Sequence, residues 1–203
     1  MKIICVGRNY AEHAKEMNSE LTKVPVIFLK PDTALLREGQ AFYLPDFSND
    51  IHHEIELVLK ISKEGKHISE KFAHKYYEEI GLGIDFTARD IQAEHKKKGL
   101  PWELAKAFDS SSPIGRFVSK SSFNSLEDIA FHLEINGESR QKGNSKDLIF
   151  KFDFLISFIS RYITLRKGDL IFTGTPEGVG PVKKGDELKG FIGNEKFLEL
   201  KVK

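Results

Sequence analysis

A strand-dominated α+β domain is the fold class the sequence predicts, and three observations predict it. Short runs rich in Ile, Val, Leu and Phe have strand length. Several are separated by Asn-Gly, Lys-Gly-Asp or Gly-Asn turn signals. Helical patterns are too few to alternate with these runs, which argues against a doubly wound α/β domain. With 203 residues, 40% of them apolar, the chain can bury a sizeable core, and no repeat or flexible linker divides it. Residues 1–203 therefore read as one domain.

The first strand-like run is Lys2 to Val6, followed by Val26 to Leu29, Glu54 to Ile61 and Ile80 to Phe86. Ile129 to Ile135, Asp169 to Phe172, Glu187 to Ile192 and Phe197 to Val202 complete the set. Asn136-Gly137 is the clearest hairpin turn, joining Phe131–Ile135 to Ser139-Arg140-Gln141, because both residues tolerate the positive φ of a primed turn. Helices are expected at Ser69 to Glu79, Ala88 to Lys98, Trp102 to Phe108 and Phe154 to Arg161.

Basic and acidic side chains number 31 and 30, so a formal charge of +1 supplies no general attraction to nucleic acid or membrane. Lys96-Lys97-Lys98 reads as a solvated helix end. Cys5 is the single cysteine, excluding an intrachain disulfide, and its place in Ile3-Ile4-Cys5-Val6 reads as a packed thiol. No basic stretch leads into a long apolar segment, so a cytoplasmic protein is the expectation.

Chemistry concentrates first in Ile51-His52-His53-Glu54-Ile55-Glu56-Leu57-Val58-Leu59. On a strand, Glu54 and Glu56 share one face and Ile55, Leu57 and Leu59 the other. Two buried carboxylates would cost several kcal/mol, about what a divalent cation between them would remove; the alternative is a half-exposed strand with both acids in water. A third acid lies in Ile80-Gly81-Leu82-Gly83-Ile84-Asp85-Phe86, where Gly81 and Gly83 are expected to leave room for a ligand beside Asp85. Three oxygen ligands favour Mg²⁺ or Mn²⁺, with positions left for water or substrate. Zinc is disfavoured by the absence of Cys/His spacing; His52 or His53 could add a ligand, or orient the strand.

Near the start, Asn9 reads as a helix cap with Glu12 three residues on, and His13 and Glu16 then lie on one helix face. Glu16 could fix the His13 tautomer and raise its basicity toward water; a surface pair is the alternative. Thr87 could cap the helix that carries Arg89, whose guanidinium could bind an anion or pair with Asp90. Lys106 alone reads as an ordinary surface lysine. The loop from Thr173 to Pro181 lacks phosphate-loop and dinucleotide fingerprints, and suits a rim whose Thr hydroxyls and amides grip a small carboxylate. Phe28, Trp102 and Phe123 are expected in the core, or else in a distal pocket.

Taken in order, Gly7-Arg8-Asn9-Tyr10-Ala11-Glu12-His13, His52-His53-Glu54-Ile55-Glu56-Leu57, Asp85 to Gln92, Lys97 to Trp102 and Thr173 to Gly180 resemble the fumarylacetoacetate hydrolase family, especially its short acylpyruvate hydrolase and oxaloacetate decarboxylase members. The resemblance implies a mixed, mainly β catalytic-domain fold, a β-sandwich or roll with short helices, without the larger hydrolase's N-terminal domain, and a homodimer. It implies Glu54, Glu56 and Asp85 as metal ligands, His13 with Glu16 as a water-activating pair on a mobile lid, and Lys106 beside the substrate as oxyanion donor. Arg89, Gln92 and Thr175 look like substrate contacts. Hydrolysis of the C3–C4 bond of an acylpyruvate stands first among the implied activities because His13 and Glu16 are both present. Oxaloacetate decarboxylation or tautomerisation and isomerisation of a 2-hydroxy-diene diacid share the same enolate chemistry. A non-catalytic, metal-stabilised interaction domain is the reading from another class.

Overall fold

The protein is described by a computed structural model covering residues 1–17 and 19–203. In chain order its strands are β1 (Ile3–Gly7), β2 (Val26–Lys30), β3 (Leu35–Leu36), β4 (Ile51–His53), β5 (Ile55–Ile61), β6 (Tyr77–Ile84) and β7 (Thr87–Ala88). They continue with β8 (Ser112–Ser119), β9 (Ala130–Ile135), β10 (Glu138–Asn144), β11 (Leu170–Phe172), β12 (Gly180–Pro181), β13 (Glu187–Ile192) and β14 (Glu195–Lys201). The α-helices are α1 (Ala11–Glu16), α2 (Glu70–Ala73), α3 (Arg89–Lys98), α4 (Glu103–Lys106) and α5 (Phe152–Tyr162).

A seven-stranded mixed sheet has the order β2-β1-β11-β5-β6-β8-β3, a four-stranded antiparallel sheet the order β10-β9-β13-β14, and a small sheet the order β12-β4-β7. Ile55, Leu57, Leu59, Ile80 and Leu82 leave one face of the large sheet and meet Leu133, Leu188, Leu198 and Leu200 of the four-stranded sheet in one buried cluster. The opposite face of β5 carries Glu56, Val58 and Lys60, and Glu56 and Val58 are buried there too, so this strand is covered on both sides over most of its length. Between these sheets Gly190 lies close against Leu82 and Ile55, while Gly115 of β8 lies under the Phe197 carbonyl of β14; a Cβ there would collide with backbone.

The expected strands are present, Glu187–Ile192 with its expected bounds and the others with ends shifted by at most three residues, and Asn136 and Gly137 adopt the positive φ of 54° and 81° required by the hairpin. Elsewhere the elements depart from the sequence reading, and the helix expected over Trp102 to Phe108 shortens to Glu103–Lys106. Ser69 to Glu79 is helical only at Glu70–Ala73, because Tyr77 turns inward and starts β6, where it is 2% exposed. β8 escaped notice because Pro113 and Gly115 interrupt its apolar pattern. β10 runs beyond the short hairpin partner expected, yet buries little besides Gln141.

Asn9 does not cap α1: Tyr10 occupies that position without a side-chain bond, and Glu12 lies near Lys15 instead of closing a capping box. The Asn9 amide donates to the carbonyls of Phe150 and Thr173 and accepts from the Phe150 amide, tying α1 to the rim loop and the entrance of α5. Among the described residues no helix is long and apolar enough to cross a membrane.

Candidate active site

Glu54 lies at the junction where the chain leaves β4 and enters β5, and Asp85 follows the end of the neighbouring β6. The Asp85 amide donates to the Glu54 carbonyl at 2.8 Å, which fixes the two strand ends side by side. Glu54, Glu56 and Asp85 are 5%, 2% and 1% exposed, and each offers a carboxylate oxygen within 4.8 Å of the others'. The solvent-facing alternative for Glu54 and Glu56 is thereby excluded.

Gly81 and Gly83 do not open space for a ligand. A Cβ at Gly83 would lie 2.6 Å from Phe172, and one at Gly81 would lie 2.7 Å from the Arg116 carbonyl, so both permit close packing of the sheet.

Cations surround the acids unevenly. Lys106 Nζ donates to Glu54 at 2.8 Å, Asp85 at 2.7 Å and Thr87 Oγ1 at 2.6 Å, while Arg89 pairs with Glu54 at 2.6 Å. Lys30 Nζ, 2% exposed, is 2.6 Å from Asp85 and also donates to Ser111. Glu56 accepts the Gly174 amide at 2.6 Å and has no ion pair among the described residues. Burial pushes Glu54 up, but the Lys106 and Arg89 charges outweigh it and hold the carboxyl well below its usual range. For Glu56, burial together with the Asp85 and Glu54 charges pushes the carboxyl well above that range. Burial lowers Lys106, yet the same two acids more than offset this and keep it protonated.

The donor set fits a hard divalent cation: three buried carboxylates converge, and one of them lacks a cationic partner that an ion would provide. His52 pairs with Asp50 at 2.9 Å and His53 with Gln141 at 2.9 Å, so neither joins the cluster. Burial first of all holds both imidazoles below their ordinary value.

His13, Glu54, Glu56, Asp85, Arg89, Gln92, Lys106 and Thr175 line one cavity, joined by Phe28 and Trp102 but not Phe123. Glu16 reaches it through His13, whose Nδ1 is 3.1 Å from Glu16 Oε2. The other Glu16 oxygen accepts the Gly178 amide at 3.0 Å, so α1 is latched to the rim loop. Arg89 also donates to Gln92 at 2.7 Å; its acidic partner is Glu54, not Asp90, which binds Ser48.

Several local expectations are revised. Thr87 does not cap α3, since Ala88 holds that position; its hydroxyl donates to the Asp85 carbonyl and accepts from Lys106. Lys106 is buried rather than superficial, and its three ammonium hydrogens are engaged, so in this arrangement it is not a free oxyanion donor. The Thr173 and Thr175 hydroxyls donate to the Leu57 and Ile55 carbonyls instead of gripping a carboxylate, although Thr175 still lines the cavity. Lys96 lines it too, in contrast to the solvated helix end expected.

Lys30 and Gln141 went unread in the sequence. A lysine that ends a strand just before Pro31 carries no mark of burial. Gln141 spends its whole amide: Oε1 accepts from His53 and the Ile55 amide, and Nε2 donates to Thr175 and the Pro176 carbonyl.

Comparison with known proteins places this geometry in a family. The model of the fumarylacetoacetate hydrolase C-terminal domain matches residues 2–202. The mouse (Mus musculus) mitochondrial oxaloacetate tautomerase FAHD1 is 47% identical over 201 residues, covering 99% of this chain and 91% of the relative. The mitochondrial oxaloacetate decarboxylase of Dictyostelium discoideum is 44% identical over 203 residues, covering 99% and 93%. Among solved structures, the fumarylpyruvate hydrolase of Pseudomonas aeruginosa in complex with Mn²⁺ and pyruvate superposes with a TM-score of 0.94 at 38% identity, covering 100% of this chain and 89% of that one. With nearly its whole length matched and a metal-ligand cluster of three acids at its centre, this chain belongs to the fumarylacetoacetate hydrolase family.

Proposed function

We propose that this enzyme interconverts the enol and keto forms of oxaloacetate, with decarboxylation of the same substrate as a second outcome, using Mg²⁺ or Mn²⁺. The observation that carries the reading is the convergence of Glu54, Glu56 and Asp85 in a cavity that also holds the His13–Glu16 pair. The tautomerase and decarboxylase relatives support oxaloacetate over the acylpyruvate placed first on sequence. A divalent ion in this position would act as a Lewis acid on a 2-oxo oxygen and stabilise negative charge developing there.

The chain's own groups do the rest. With Nδ1–H directed at Glu16, His13 keeps Nε2 as an acceptor, and Glu16 stabilises the imidazolium once a proton arrives. In ketonisation the enol oxygen loses a proton and C3 gains one, and His13 is the group suited to carry that proton. Arg89 and Gln92 are suited to hold the 2-oxo acid end, Thr175 lines the cavity beside them with its hydroxyl already engaged by Ile55 and Gln141, and Lys106 keeps positive charge there. Latched by Glu16 to Gly178, α1 would limit entry of water, which favours proton transfer over hydrolysis.

The same pair could instead activate water, so acylpyruvate hydrolysis is the second reading, favoured by the likeness to fumarylpyruvate hydrolase. Product analysis separates the two. Protein with Mg²⁺ or Mn²⁺ is given oxaloacetate, acetylpyruvate and fumarylpyruvate, with metal-free and His13→Ala controls. Metal-dependent enol loss or CO₂ release from oxaloacetate is expected; cleavage of the acylpyruvates alone would reverse the order. A homodimer is part of the proposal, on family likeness and on the exposed apolar side chains of Phe47 and Leu104.

A further inference from the structure

Charge in the cavity is not balanced by the three acids. Glu54, Glu56 and Asp85 face Arg8, Arg89, Lys96 and Lys106 in the lining, with Lys30 behind Asp85. Lys30 and Arg89 are each engaged with one of the carboxylates and Lys106 with two. Arg8 and Lys96 are not: among the described residues neither has an ion pair or a side-chain hydrogen bond, and a divalent ion would add to the excess of positive charge. Two guanidinium N–H groups of this cavity, Arg8 Nε and Arg89 Nε, are moreover buried without a hydrogen-bond partner. Leaving such donors unpaired is costly, and an anion would satisfy them.

Arg8 and Lys96 both belong to the part of the lining built around Trp102. Arg8 is held at a φ of 60°, in the left-handed region that a non-glycine residue seldom adopts without a reason. The Cβ position of neighbouring Gly7 is 3.5 Å from Trp102, and Lys96 Nζ stands 5.7 Å from the Trp102 ring centroid. Trp102 meets Phe28 edge-on at 5.9 Å, and Lys106 Nζ is 5.4 Å from the Phe28 ring on the acids' side. The Phe28–Trp102 wall thus runs from Lys106 to Lys96. Burial lowers the Lys96 ammonium, and the Arg89 and Arg8 charges lower it further against the pull of Glu54, as expected of cations gathered around one cavity.

We propose that Arg8 and Lys96 form a far-carboxylate subsite, so that the substrate is a 2-oxo diacid rather than a 2-oxo acid with a neutral tail. The inference rests on the proposed function for the 2-oxo acid end, and its test reads binding so that the two can fail separately. Malate and lactate both chelate a metal through carboxylate and hydroxyl, and differ in the far carboxylate. Trp102, the single tryptophan, reports their binding by fluorescence when the Mg²⁺-loaded full chain is titrated with each. Malate should bind about tenfold or more tightly than lactate, a difference of about 1.4 kcal/mol or more. Lys96→Met and Arg8→Met should collapse the ratio toward one, chiefly by weakening malate, while Lys96→Arg keeps it. Should Arg8→Met fail to fold, Lys96→Met at the partly exposed end of α3 still decides. Equal affinity in the wild type, or equal weakening of both ligands in Lys96→Met, would overturn the subsite. The same preparations are assayed on oxaloacetate: a malate preference without turnover would uphold the subsite and sink the functional reading instead.

Discussion

Glu56 differs from its two partners in what surrounds it. Glu54 and Asp85 are each held by cationic side chains, whereas Glu56 has the Gly174 amide and two acidic neighbours. Its raised pKa means that, without metal, the folded protein retains a proton there that the unfolded chain releases from about its ordinary value of 4.5 upward. The unfolded state then binds fewer protons, so this group's contribution to stability declines as pH rises above 4.5 toward the folded pKa. Glu54 has the opposite sign, since its depressed pKa contributes stability above 4.5 that is lost below. Glu56→Gln, close in shape to the protonated acid, should therefore flatten the decline in melting temperature between pH 5 and 8 measured in chelator, and should abolish the rise that Mg²⁺ gives the wild type. An undiminished metal response in Glu56→Gln would remove Glu56 from the ligand set.

At the scale of elements, two contacts carry separate expectations. Glu16 joins α1 to the rim loop through Gly178 while holding His13. Glu16→Gln should keep much of the latch but weaken the stabilisation of protonated His13, lowering kcat more than it raises KM. Glu16→Ala should in addition speed amide hydrogen exchange over residues 11–16. Unchanged exchange in Glu16→Ala would show that the latch does not hold the helix. Gly83 in β6 gives the second case. Gly83→Ala should cost about 1–3 kcal/mol by crowding Phe172 and Val58, read in urea unfolding. Little loss of stability with weaker metal binding would restore the idea that Gly83 keeps space for a ligand.

These elements also show what the sequence could and could not display. Glu54, Glu56 and Asp85 were legible because acids inside apolar strands break a pattern that burial imposes. His13 and Glu16 were legible because three-residue spacing on a helix needs nothing beyond the helix. Lys30, Lys96 and Arg8 were not, since whether a long cationic side chain meets water depends on which distant segment covers it. Lys30 ends on Asp85 and Ser111, 55 and 81 residues away in the chain, a pairing created by the sheet and absent from any local pattern.

For the whole molecule, the apolar surface is the feature to explain. Leu104 of α4 is 68% exposed and Phe47 is 53% exposed, beside Ile91 and Phe108. A chain that associates through this face would cover them. Leu104→Asp should then shift the sedimentation coefficient from dimer to monomer at micromolar concentration. A wild type that sediments as a monomer across concentrations would reject the homodimer. The large sheet meanwhile brings the three acids together at neighbouring strand ends, with His13 of the short helix α1 in the same cavity and Glu16 behind it, and under the proposed function the acids would hold the metal and the helix pair would move protons.

The most direct test follows the disappearance of enolic oxaloacetate by ultraviolet absorbance while CO₂ is quantified in the same sample, with Mg²⁺ present and then removed by chelator. Enol loss accelerated by the protein with Mg²⁺, abolished by chelator and by Glu56→Gln and strongly reduced in His13→Ala, is the predicted result. Enol loss that proceeds at the uncatalysed rate with Mg²⁺ or Mn²⁺ bound would contradict the assignment of this cavity to oxaloacetate enol chemistry.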